Sequence, residues 1–233
     1  MLNPVFNHRR CALTEAERGL IQSICTQVST ELRSQLPTLP GVVDVHVATR
    51  GRVIPQLGYG ARASTPRSLS FVVDPLHPSG STALIEQSLR PALFHECHHI
   101  VRGWVLRGGT RRRRFIDGVI HEGLASAFER DAAAHHAPWC SYPADVRQWV
   151  DELLPLPVYV PYAKWMFAHP DGRCWIGYRA GVFIADQAIA ASGRSAAELA
   201  ETSCEEILAL ADIPLPPIRR WQTIFRHPQR SKA

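Results

Sequence analysis

The chain has 233 residues, 45% of them hydrophobic and 20% charged, and a formal net charge of +5. That balance fits a globular protein and excludes a disordered or fibrous chain. No apolar run reaches the roughly 20 residues of a membrane-spanning helix. The first ten residues lack the apolar segment of a secretion signal, and the six cysteines form no C-x-x-C pair. The expectation is therefore a cytoplasmic protein with reduced thiols.

In chain order, Leu13 to Leu36 reads as a helix. Thr14 and Glu17 form a capping box, Leu20, Ile21, Ile24, Val28 and Leu32 recur at helical spacing, and Pro37 ends the run. Val42 to Ala48 alternates as a strand with His46 on its outer face, and Leu57 to Gly60 reads as a turn. Ser68 to Val73 is a second strand. Ser81 or Thr82 is then expected to cap a long helix reaching Trp104, which Pro91 kinks or splits. Phe115 to Asp131 is another helix, and Ala134 to Pro143 a loop. Shorter helices are expected at Asp145 to Leu154, Ser195 to Ala200 and Cys204 to Leu210, with a longer one at Ile176 to Ala191. The length favours one domain over 1–233, divided into a helix-plus-strand region (1–80), a central helical region (81–132) and a mostly helical remainder (133–233).

The central region carries His95-Glu96-Cys97-His98-His99, an H-E-x-x-H motif on a helix. Positions i and i+4 share one helix face, so His95 and His99 can offer two imidazole nitrogens to one metal ion. Glu96 stands beside the first of them, where a carboxylate can act as a general base on water. Cys97 points off that face. Catalytic zinc usually takes three protein ligands and keeps an open position. Glu122, 23 residues beyond His99 on the next helix, is the candidate third ligand, with the small residues Gly123 and Ala125 letting two helices approach. His121 points elsewhere on the same helix.

The segments His95-Glu-Cys-His-His99-Ile-Val-Arg102, Glu122-Gly-Leu-Ala125-Ser-Ala-Phe-Glu129 and Gly177-Tyr178-Arg-Ala-Gly181 together resemble a bacterial family of predicted zinc-dependent proteases. The resemblance runs from about Gly58 to Leu210. That family is similar in site logic to the gluzincins, peptidases with H-E-x-x-H and a downstream Glu. The resemblance implies an α+β, zincin-like fold with a small sheet, an edge strand and two site helices. Leu69 to Val73 is the expected edge strand, along which a peptide or protein substrate would pair. It also implies Zn2+ on His95, His99 and Glu122, Glu96 as base, and Tyr178 as the donor that steadies the oxyanion. Many gluzincins have Asp four residues after the ligand Glu. Here that residue is Ser126, and Glu129 is the substitute candidate for orienting a histidine.

Two other readings remain open. One is a catalytically degenerate zinc-binding module, against which the presence of Glu96 argues. The other uses Arg107 to Arg114, which holds five arginines, to grip nucleic acid. No aromatic residues interleave that run, so a solvated loop is the simpler account. Oligomeric state and the choice between endo- and exopeptidase leave no mark in the sequence.

Overall fold

The computed structural model describes residues 1–6, 12–109 and 114–215. In order, these form β1 (Leu2–Phe6), α1 (Glu15–Gln35), β2 (Val43–Ala48), β3 (Tyr59–Thr65), β4 (Ser68–Val73), α2 (Gly80–Val101) and α3 (Phe115–Ala133). They continue with α4 (Val146–Leu153), α5 (Tyr162–Met166), α6 (Ile176–Ser192) and α7 (Cys204–Leu210). The fold is α+β, with a small mixed sheet in the first third and helices beyond it.

The sheet runs β1-β2-β4-β3. β1, β2 and β4 are parallel, and β3 returns antiparallel to β4. Alternation explains the burial. Val43, Val45 and Val47 on β2, and Leu69, Phe71 and Val73 on β4, are all at most 1% exposed, while His46 faces out. Helices α1 and α2 cover this apolar face. α1 contributes Ile21, Cys25, Val28 and Leu32, spaced four, three and four residues apart as one helical stripe requires. Each large apolar side chain buried this way is worth about 1.5–3 kcal/mol before conformational entropy is charged against it.

Several expectations change here. Leu69 to Val73 is not the edge: β4 lies between β2 and β3, because the turn at Pro66-Arg67 folds β3 back onto its outer side. The edge beside the site helix is β3, which begins at Tyr59 inside the stretch read as a turn. The strand β1 was not anticipated. It tolerates Pro4 because it lies at the sheet margin. Helix α2 starts at Gly80, before Ser81 and Thr82, whose hydroxyls instead bond Glu17 Oε1. Glu17 also closes the capping box with Thr14, so one carboxylate ties together the starts of α1 and α2. α2 passes through Pro91 as one helix. Ser195 to Ala200 forms turns rather than a helix, with Leu199 N–H donating to Ser195 O (3.0 Å). Its carbonyls are drawn away: Ala196 O accepts from His98 Nε2, and Leu199 O and Ala200 O accept from Arg102.

From Ala92 to Ile100, α2 is buried on every side, sandwiched between the sheet and α3. α3 in turn packs on α6. That contact depends on glycine: a Cβ on Gly123 would collide with the backbone of Gly181, and one on Gly181 would strike Val119 O and Gly123. The last glycine of the G-Y-x-x-G element is thus a helix-crossing point. The five described cysteines other than Cys11 are free, and Cys97 is fully buried away from the ligand face. Cys11 and residues 110–113 of the arginine run lie outside the described residues. Arg114, the last of that run, is turned inward to Asp117 and Glu205. Among the described residues, no helix is long and apolar enough to cross a membrane.

Candidate metal centre

Helix α2 carries His95 and His99 one turn apart, with their rings edge to face at a centroid separation of 4.6 Å. Helix α3 brings Glu122 against both. Its Oε2 lies 3.4 Å from His95 Nε2 and 3.2 Å from His99 Nε2. One donor atom from each of the three residues falls within 4.8 Å of the others, and all three side chains are buried. Among the described residues, this is the only such group of three metal-ligating side chains. Ligands at about 2.0–2.1 Å from a tetrahedral zinc stand roughly 3.3–3.4 Å apart. Both histidine–carboxylate spacings match that edge length, so the donor set fits zinc in kind and in geometry.

The neighbours of these residues explain how the atoms are aimed. His95 Nδ1 lies 2.9 Å from Glu129 Oε2, and the other oxygen of Glu129 lies 2.7 Å from His135 Nδ1. With Nδ1–H given to Glu129, Nε2, the atom facing Glu122, is the nitrogen of His95 left to offer a lone pair to a metal once its own proton is displaced. Ser126, where many gluzincins have Asp, has a buried hydroxyl without a partner among the described residues, as does His99 Nδ1. The orienting carboxylate, Glu129, comes one turn later and reaches His95 but not His99. Glu122 is held at its other oxygen, Oε1, by Trp104 Nε1 (3.2 Å) and Tyr162 OH (3.1 Å). Oε2 alone therefore faces the two imidazoles. Trp104 and Tyr162 carried no sequence signal, since each contact depends on how distant segments fold together.

Burial and the neighbouring charges oppose each other across the site. Burial raises the carboxyl of Glu96, against the opposing pull of the His99 and His95 charges. It would raise Glu122 too, but His99 and His95 hold that carboxyl well below its ordinary range. Burial would lower His95, yet its bonds to Glu122 and Glu129 carry it well above the ordinary value. Glu96 Oε2 accepts the main-chain N–H of Ala63 on β3 at 2.6 Å, which fixes the carboxylate beneath the sheet edge and leaves Oε1 unengaged by that bond.

His95, Glu96 and Glu129 border a cavity of about 70 Å³. Its walls are Tyr59, Trp139, Trp175 and Tyr178. Tyr178 therefore lines the same space as the proposed base. Burial and the Glu122 carboxylate push its phenol well above the ordinary value, so it stays a neutral O–H donor. Trp175 opens α6 with φ at 61°, a left-handed conformation that a bulky residue rarely adopts. His121 is not part of the group. It stacks on Trp104 (4.5 Å, 9°) and its Nδ1 accepts from Arg102 Nε at 3.0 Å. Burial and the Arg102 charge lower it to about 3.

Over residues 21–209, which include every residue of this cluster, the chain matches the family model described as "Predicted Zn-dependent protease (DUF2268)". No curated protein matches it.

Proposed function

We propose, for a chain that belongs to this family of predicted zinc-dependent proteases, that it hydrolyses peptide bonds with His95, His99 and Glu122 as zinc ligands and Glu96 as general base. One observation supports this above the rest: His95, one of a buried His-His-Glu group whose donor atoms lie within 4.8 Å of one another, borders the same cavity as Glu96, a carboxylate fixed by Ala63 N–H. When bound, zinc would polarise the scissile carbonyl and bring the pKa of water toward ~7. The chain's own residues do the rest. Glu96 takes a proton from water as the oxygen bonds to the carbonyl carbon. It then delivers that proton to the nitrogen as the C–N bond breaks. Tyr178 donates its O–H to the oxygen that becomes negative. Glu129 keeps His95 in the ligating tautomer, while Trp104 and Tyr162 keep Glu122 on one oxygen.

The test is metal content and peptide hydrolysis of the purified protein beside Glu96→Gln, His95→Ala and Glu122→Ala. One zinc per chain is expected, kept in Glu96→Gln and lost in the other two. Hydrolysis is expected to fall by about 10²–10⁴-fold in Glu96→Gln. Zinc binding with no hydrolysis by the wild-type chain would favour the degenerate binding module instead.

A further inference from the structure

The edge of β3 is mostly occupied by the chain itself. Ala63 N–H turns away from β4 to reach Glu96. By alternation the main chains of Tyr59, Ala61 and Ala63 face outward, while those of Gly58, Gly60 and Arg62 face β4. Asp74 N–H donating to Gly58 O agrees with this register. At one end of the edge, Tyr59 O accepts Ile54 N–H (2.9 Å). At the other, Ala63 O accepts Leu106 N–H (3.1 Å), and Ser64 O, past the bulge, accepts Arg107 N–H (3.0 Å). The segment before Ile54 also crosses the strand: a Cβ on Gly60 would meet Arg52 O at 2.5 Å and Val53 Cα at 3.2 Å. Among the described residues, Ala61 is left as the one position of β3 with neither its outward N–H nor its outward C=O bonded to the chain. Ala61 borders the cavity that holds His95 and Glu96.

We infer that the site takes short peptides, pairing main chain to main chain at Ala61 alone, and does not accept long extended chains laid along the sheet. This rests on the hydrolase reading above and specifies its substrate class. The open window lies between Tyr59 and Ala63, four residues apart. At ~3.4 Å per residue it spans about 14 Å, room for roughly four residues of an extended chain. Beyond it, a substrate meets the Arg52–Ile54 wrap on one side and the Leu106–Arg107 segment on the other, where Tyr59 O, Ala63 N–H, Ala63 O and Ser64 O of β3 are already bonded to the chain.

The experiment is a length ladder of end-blocked randomised peptides, from about three to about twelve residues, bracketing the ~14 Å window. Two readouts are taken: kcat/KM with the zinc-loaded wild type, and calorimetric affinity with zinc-loaded Glu96→Gln. Both are expected to rise to about four residues and then stay within about threefold. In Leu106→Pro, which removes the N–H closing Ala63, the plateau is expected to move to longer peptides. A gain above about tenfold between four and ten residues would overturn the inference, as would an unmoved plateau in folded Leu106→Pro. The two readouts separate the ideas. A plateau in binding with no hydrolysis by the wild type sinks the hydrolase reading and keeps the one-residue grip. Hydrolysis that climbs with length does the reverse. Neither binding nor hydrolysis at any length overturns both.

Discussion

Replacing Gly123 by Ala tests the link between the helix crossing and the metal cluster. The added Cβ would overlap the carbonyl carbon, oxygen and Cα of Gly181. Carbon atoms in contact sit about 3.5–4.0 Å apart, so α3 and α6 must separate by more than about 1 Å. The atoms struck are backbone inside a buried crossing, so no side chain can rotate to make room. Overpacking of this kind costs about 1–3 kcal/mol, and a rigid neighbour puts it in the upper half of that range. In a chain of this size each kcal/mol lowers Tm by about 2–4 °C, so a fall of roughly 4–12 °C is expected. Glu122 precedes Gly123 and stands 3.2–3.4 Å from both histidines. A shift near 1 Å disrupts that spacing, and zinc affinity is expected to drop at least about tenfold. The assay is thermal unfolding of the metal-free protein together with a competitive zinc titration. Gly19→Ala is the control. Gly19 lies in α1 with nothing within 4 Å of its added Cβ, so it should gain about 0.5–1 kcal/mol. An unchanged Tm and zinc affinity in Gly123→Ala would refute the account of the crossing.

Other expectations follow from the same geometry. Tyr178→Phe should lower turnover by about 10²–10³-fold while zinc content stays at the wild-type level, and equal turnover would remove the phenol from the mechanism. Glu129→Gln should weaken zinc binding by about 10–100-fold, since His95 loses the carboxylate that sets its tautomer; a competitive chelator titration reads this. Because His95 is held well above its ordinary value by Glu122 and Glu129, it carries a proton that zinc must displace. Zinc affinity should therefore fall as pH drops below that raised value, by about tenfold per unit for one proton, and be flat above it. Calorimetry in buffers of different ionisation enthalpy should show proton release on zinc uptake at neutral pH; a buffer-independent enthalpy would contradict the assignment.

The sequence revealed those features that depend on local spacing. His95, Glu96 and His99 fall within five consecutive residues, and the helix that aligns them follows from the same stretch. The α1 capping box was likewise readable from Thr14 and Glu17. Glu122 could be expected beside the two histidines because a carboxylate on the following helix is a common companion of this motif. What stayed hidden depends on pairing across the chain. β1 is five residues without alternation, paired to β2 some forty residues later. The edge was misplaced because strand order cannot be read from strand content, and β3, rich in Gly, Ala and Ser, looks like a loop. Trp104, just past α2, reaches Glu122 only once α2 packs on α3, and Tyr162, on α5, only once α5 and α3 both pack on α6. The spacing from Glu122 makes Glu129 a candidate, but its second contact, to His135, has no signal in the sequence.

Arg102 has a consequence for how the protein matures. It ends α2, directly after the metal motif, yet its guanidinium binds Leu199 O and Ala200 O nearly a hundred residues later, and the neighbouring His98 reaches Ala196 O. A chain leaving the ribosome would expose His95, His99 and Glu122 long before the segment that anchors the α2 helix. Contacts at such long range form late in folding. Until then His95 and His99 lie on a helix whose far end is untethered. If the cluster holds zinc as proposed, its faithful loading would follow synthesis, and a chain shortened before Leu199 would retain His95, His99 and Glu122 without the anchor that holds the α2 helix in place.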